Sequence, residues 1–95
     1  MKIVWSRRAI GDLSALHDHI ACDDPNAARN ALHRIVSLVE DKLLSFPEIG
    51  RPGRVDGTRE LVVPGTPFIA PYRVKPGGID VLRVHHAARR WSNSL

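Results

Sequence analysis

The sequence holds a single cysteine, Cys22, so it can form no internal disulfide and offers no second thiol for a Cys-type zinc site; redox chemistry has no support. Its apolar runs stop after a few residues. Neither a transmembrane helix, which needs about 20 residues, nor a secretory h-region is therefore expected, and the expectation is a cytoplasmic protein with no membrane partner. Internal repeats and low-complexity stretches are also missing. What is there is ordinary for a folded protein: 43% hydrophobic and 25% charged residues in 95 positions, enough for one compact domain over 1–95 and too few for two.

Charge is unevenly placed. Fourteen Lys and Arg against ten Asp and Glu give a net charge of +4. Residues 12–50 carry seven acids against three bases, whereas residues 51–95 carry eight bases against three acids. Seven of those eight bases are arginine, the side chain suited to bidentate contact with carboxylate or phosphate. A polyanion or an acidic partner would meet the second half.

Local patterns predict the elements. Residues 2–5 form a short β-prone run closed by Ser6, whose hydroxyl can cap a helix starting near Arg7. Ala9, Ile10, Leu13, Leu16, His17 and Ile20 then recur at helical spacing. Asp24-Pro25 ends this helix and opens a second, over about 25–45, with Ala28, Ala31, Leu32, Ile35, Leu38, Val39, Leu43 and Phe46 as its buried stripe. The short connection makes the pair a helical hairpin. Residues 47–57 contain too many prolines and glycines for a regular element and predict a loop. Strands over 58–63, 68–74 and 80–86, joined by turns at 64–67 and 76–78, predict a three-stranded antiparallel meander. Pro71 lacks an N–H, so the middle strand needs a bulge or an unpaired position there. The order β-α-α-β-β-β is an α+β fold with the hairpin on one face of a small sheet, and the place of the first strand is left open.

Candidate chemistry is sparse. His85 and His86 alternate to opposite faces of a strand and cannot share a metal in ordinary geometry; no metal and no cofactor is expected. His17 and His19 lack the i, i+4 spacing of a metal-binding helix, and Cys22 has no triad around it. Arg59, Arg73 and Arg83 sit on three successive strands, where they either converge into a phosphate-binding patch or remain a solvated face paired with Glu60 or Asp80. Arg89-Arg90-Trp91 combines cations with an aromatic plane, which suits either nucleic-acid contact or docking of the tail on the core.

Taken in order, several stretches resemble the RelE/ParE superfamily of bacterial toxins: Ser6-Arg7-Arg8-Ala9 leading to Asp12-Leu13, Pro25-Asn26-Ala27-Ala28, and Phe46-Pro47-Glu48-Ile49-Gly50-Arg51-Pro52. Thr58-Arg59-Glu60-Leu61, Pro71-Tyr72-Arg73-Val74 and Leu82-Arg83-Val84-His85-His86 complete the set. The resemblance implies a cognate antitoxin, ParD- or RelB-like, whose partly disordered tail folds onto the helical hairpin and sheet. Leu13, Leu16, Ile20, Arg59 and Arg73 are the expected antitoxin contacts, an acidic tail meeting the basic half.

The superfamily divides into ribosome-dependent mRNA endonucleases and gyrase poisons. Against the nuclease pattern Tyr-Arg-x-x-Tyr, Tyr72 at the last position puts Phe68 and Ile69 at the first two. Against His-Arg-Arg-x-x-Tyr, His86 at the start leaves Ala87, Ala88 and Trp91 where two arginines and a tyrosine belong. RNA cleavage by its own 2′-hydroxyl needs a base, an acid and cations around the phosphorane, and Ile, Ala and Trp supply none of these. The resemblance thus implies first a toxin that arrests growth by binding DNA gyrase, with Arg83, Arg89, Arg90 and Trp91 as target contacts and no catalytic residue. The alternative is an endonuclease on the translating ribosome using His86, Arg73 and Arg83; a copy that has lost its toxicity is the third possibility.

Overall fold

Two caps begin the helices where the sequence places them. In the computed structural model, which describes residues 1–87, strand β1 (Lys2–Trp5) leads through Ser6 into helix α1 (Arg7–Ala21). Ser6 Oγ accepts from Ala9 N–H at 3.0 Å. Asp24 Oδ1 likewise accepts from Asn26 and Ala27 N–H at 3.0 and 3.1 Å, and Pro25 opens helix α2 (Pro25–Ser45) with its φ already suited to the first turn. The two helices pack against each other as a hairpin.

Strands β2 (Arg51–Pro52), β3 (Arg59–Val62), β4 (Phe68–Lys75), β5 (Gly78–Val81) and β6 (His85–His86) follow. The sheet order is β1-β5-β4-β3-β2, with β6 also on β4. The first strand, whose place the sequence left open, lies at an edge, parallel to β5 with Ile3 opposite Ile79 and Trp5 opposite Val81. Trp5 Nε1 reaches across to donate to Glu40 Oε2 at 2.8 Å, tying β1 to α2.

Side chains alternate across the sheet, and the registers sort them. One face presents Leu61, Val63, Ala70, Tyr72, Ile79 and Val81 to Ala9 and Leu13 of α1 and to Ile35, Val39 and Leu43 of α2, forming the core. The other face carries Lys2, Arg51, Glu60, Arg73, Lys75 and Asp80. Two residues of the expected helical stripes are exposed. Ile10 is 56% exposed, and Phe46 is 59% exposed because the helix has ended at Ser45 and the backbone turns away (φ −140°, ψ 80°).

Two further departures have physical causes. The expected loop 47–57 contains β2, two residues paired antiparallel with β3 despite their proline, since an edge strand tolerates one. The expected strand 80–86 is split. Tyr72 opposes Val81 while Ile69 opposes His85, so residues 82–84 face only 70–71 and one residue bulges out. The cause is Pro71. Leu82 N–H donates to the Pro71 carbonyl at 2.8 Å, but proline has no N–H to return, and Ser6 Oγ takes its place by donating to Leu82 O at 2.7 Å.

Candidate interaction surface

The bulge determines what Arg83 does. Turned out of the ladder, Val84 N–H donates to Asp12 Oδ2 at 2.9 Å, and Arg83 binds the same carboxylate with Nε to Oδ2 at 2.8 Å and Nη2 to Oδ1 at 3.1 Å. This two-pronged pair joins the bulged segment to α1. Burial pushes the Asp12 carboxyl up, but the hydrogen bonds of Arg83 and Val84, with the charges of Arg83 and His85, outweigh it and hold the group below the ordinary aspartate range. The same bond to Asp12 raises Arg83, against its partial burial.

Beyond the end of α2, a second device fixes the 46–52 turn. Gly50 N–H donates to Tyr72 Oη at 2.8 Å, and Arg59 Nη1 donates to the carbonyls of Gly50 at 2.8 Å and Glu48 at 3.1 Å. Glycine is required at position 50 by crowding: a Cβ there would stand 2.7 Å from Tyr72 Cε1 and 2.9 Å from Glu60 O. Burial raises the Tyr72 phenol, with the Gly50 N–H and Arg59 opposing and Glu48 adding, so the oxygen that accepts from Gly50 stays a neutral hydroxyl. Glu60, 5% exposed, receives Arg51 Nε at 3.2 Å and Arg54 N–H at 3.3 Å, which holds the outer edge of the turn.

The three arginines of successive strands do not converge. Arg59 shares the face of Tyr72 and is committed to backbone carbonyls, Arg73 is on the opposite face, and Arg83 is clamped to Asp12. Arg73 opposes Asp80 in register, yet the Asp80 carboxylate goes to Lys75 Nζ at 2.8 Å, leaving Arg73 with no ion pair or hydrogen bond among the described residues. Of the expected antitoxin contacts on α1, Leu13 is packed in the core at 8% exposure; Leu16 and Ile20 are half-buried and reachable. Arg89, Arg90 and Trp91 lie outside the described residues.

Of the residues named for the nuclease alternative, His86 and Arg73 are likewise separated. His86 faces the helices, its ring edge-to-face with Phe68 at 5.6 Å, beside a cleft that Asp12, Leu16 and His19 also line. Arg73 is five residues along β4 from Phe68, about 17 Å away at strand rise, and on the other face of the sheet. Among the described residues, no group of three or more His, Cys, Asp or Glu is placed to hold a metal, and no helix is long and apolar enough to cross a membrane. Sequence reasoning missed Asp12 as the partner of Arg83. It missed too the turn locked by Tyr72, for which Gly50 between Pro47 and Pro52 was the available signal.

The architecture, an N-terminal strand and helical hairpin laid on a largely antiparallel sheet, is shared with known proteins. The model of the family described as the ParE toxin of the type II toxin–antitoxin system parDE matches residues 3–91. Y4kP, a candidate toxin of Sinorhizobium fredii, is 40% identical over 94 residues, covering 99% of this chain and 96% of the relative. Toxin RelE2 of Caulobacter vibrioides is 35% identical over 88 residues, covering 93% and 97%. A solved chain of the chromosomal ParDE system of P. aeruginosa superposes with a TM-score of 0.80 at 37% identity, covering 90% of this chain and 95% of that one. The protein belongs to the ParE toxin family of type II toxin–antitoxin systems.

Proposed function

We propose that this chain is the growth-arresting member of its module, kept silent in the cytoplasm by a partly disordered antitoxin of the ParD kind, and that its target is DNA gyrase, engaged by protein contact. The observation that carries the choice of target is the separation of the acid/base and cationic groups. His86 and Arg73 stand about 17 Å apart on opposite faces, and Arg83 is engaged by Asp12, an arrangement that favours a binding toxin over one that gathers these groups around a phosphate for RNA cleavage. A surface that binds needs no such constellation. Arg83, Arg89, Arg90 and Trp91 remain the proposed target contacts.

Purified toxin is expected to inhibit supercoiling by gyrase and to trap cleaved DNA; normal supercoiling at saturating toxin overturns this target. The second reading, cleavage of mRNA on translating ribosomes, draws on His86 and His19 lining one cleft with Asp12. Inducing the toxin without its antitoxin separates the two. Gyrase poisoning gives DNA-damage signalling first and persists in His86→Ala, whereas the endonuclease gives translation failure first and loses activity in that variant.

A further inference from the structure

The face of the sheet turned away from the helices is not uniformly polar. Along β4 the odd-numbered residues belong to it: Ile69 lies opposite Val62, Pro71 opposite Glu60 and Arg73 opposite Asp80. Arg73 is exposed, as a side chain on an open sheet face should be, yet Pro71 is fully buried and Ile69 is only 5% exposed. Neither belongs to the core that the helices cover. Strand neighbours shield such a side chain only from the flanks, and Val62, paired with Ile69 on the same face, is 53% exposed. The 53–57 loop covers the far end of this strip, where Arg54 N–H reaches Glu60 Oε2 at 3.3 Å and Arg73 Nε lies 4.0 Å from where a Cβ of Gly57 would stand. Ile69, two residues before Pro71 on β4, takes part in neither contact. The chain itself leads to this place. Ala87 N–H donates to the Pro67 carbonyl at 2.7 Å, so the last described residue stands beside the start of β4, two positions from Ile69. Residues 88–95 follow, outside the described residues, and carry Trp91. At about 3.3 Å per residue the four steps from Ala87 to Trp91 span up to about 13 Å, whereas Ile69 is about 7 Å back along the strand and one strand spacing of about 5 Å across.

From this arrangement we infer that residues 88–95 fold back across the outer face of the sheet, with the Trp91 indole over Ile69 and Pro71. The occupant follows from where the burial is found. Ile69 and Pro71 are shielded within a single chain, so the cover belongs to that chain and not to a second copy or an antitoxin. The cleft on the helix side, beside His86, is lined by Phe68 and Val84, and Ile69 does not open onto it. An indole supplies a large apolar plane at a small cost in side-chain freedom, while its N–H can stay at the wet rim. The docking holds whichever target the toxin has. What it adds to the proposed gyrase contact is a division of labour: Trp91 anchors the segment, and Arg89 and Arg90 are left to meet the target.

The test uses the full chain with its isoleucine methyl groups labelled for NMR. In the parent protein the Trp91 ring is expected to give a nuclear Overhauser contact to the Ile69 methyl, whose signal is displaced upfield by the ring and stays there on dilution. Trp91→Ala should return that signal to the ordinary methyl range while leaving those of Ile35 and Ile79, in the core on the helix side, where they were. Trypsin should then cut after Arg89 or Arg90 at least about tenfold faster than in the parent, because the segment no longer has to open first. Trp91→Phe, which keeps an aromatic ring, should retain most of the protection. Absence of the Trp91–Ile69 contact in the parent overturns the assignment, whatever the variants do. So does an Ile69 signal that moves on dilution, which gives the face to a second copy, or a Trp91 ring in contact with Leu16 or Phe68, which puts the segment in the cleft on the helix side.

Discussion

Asp12 shows how one side chain can serve two covalently distant segments. Its carboxylate receives three donors, two from Arg83 and one from the Val84 backbone, so replacing it strands a guanidinium and an N–H together. Asp12→Ala is expected to cost about 1–3 kcal/mol in urea unfolding at neutral pH. The pH dependence follows from the direction of its shift. A carboxyl held lower in the folded than in the unfolded protein adds stability that is present above the unfolded value and is lost as pH falls through the folded one. Unfolding midpoints measured from pH 6 down to about pH 2 should therefore fall less steeply for Asp12→Asn than for the parent; parallel curves would show that the pair contributes no linkage. None of this was legible in the sequence, because Asp12 lies at a helical position turned from the apolar stripe and its partner is 71 residues away.

At the scale of elements, much was readable where the signal is local. Both helix starts, the Asp24-Pro25 junction and the three meander strands follow from caps, periodicity and turn residues, all of which act within a few positions. What escaped was set by neighbours. Pro71 announced a fault in the ladder, but the fault appeared as a bulge on the facing strand, at 82–84, and β2 was hidden by the prolines and glycines around it. Ser6 links the two kinds of information. Its hydroxyl caps α1 by accepting from Ala9 and repairs the proline gap by donating to Leu82 O. Ser6→Ala removes both bonds at once and is expected to cost about 1–2 kcal/mol, toward the upper end of ordinary cap losses, read as a lower unfolding midpoint. Ser6→Thr, which keeps the hydroxyl, should recover most of it.

For the molecule as a whole, fold class and family were legible because the order of several weak motifs is distinctive even when none is alone. The distribution of cations was not. Arginines on adjacent strands converge only if hairpin registers put them on one face, and here Arg59 pairs with Tyr72, which sends Arg73 to the other side. The sheet is also assembled from both ends of the chain. A fragment ending at residue 75 retains both helices and four strands but lacks β5, the only strand that β1 pairs with among the described residues. It is expected to lose the cooperative thermal transition while keeping some helical circular dichroism; a sharp transition near that of the full chain would show that β1 and β5 add little. Because Ser6 must wait for Leu82, 76 positions later, a ribosome has to extrude both helices and strands β2 to β5 before the first strand can settle. The nascent chain is thus incomplete in structure until residue 82 has emerged, and a binding partner that recognises the finished sheet has nothing to hold before then.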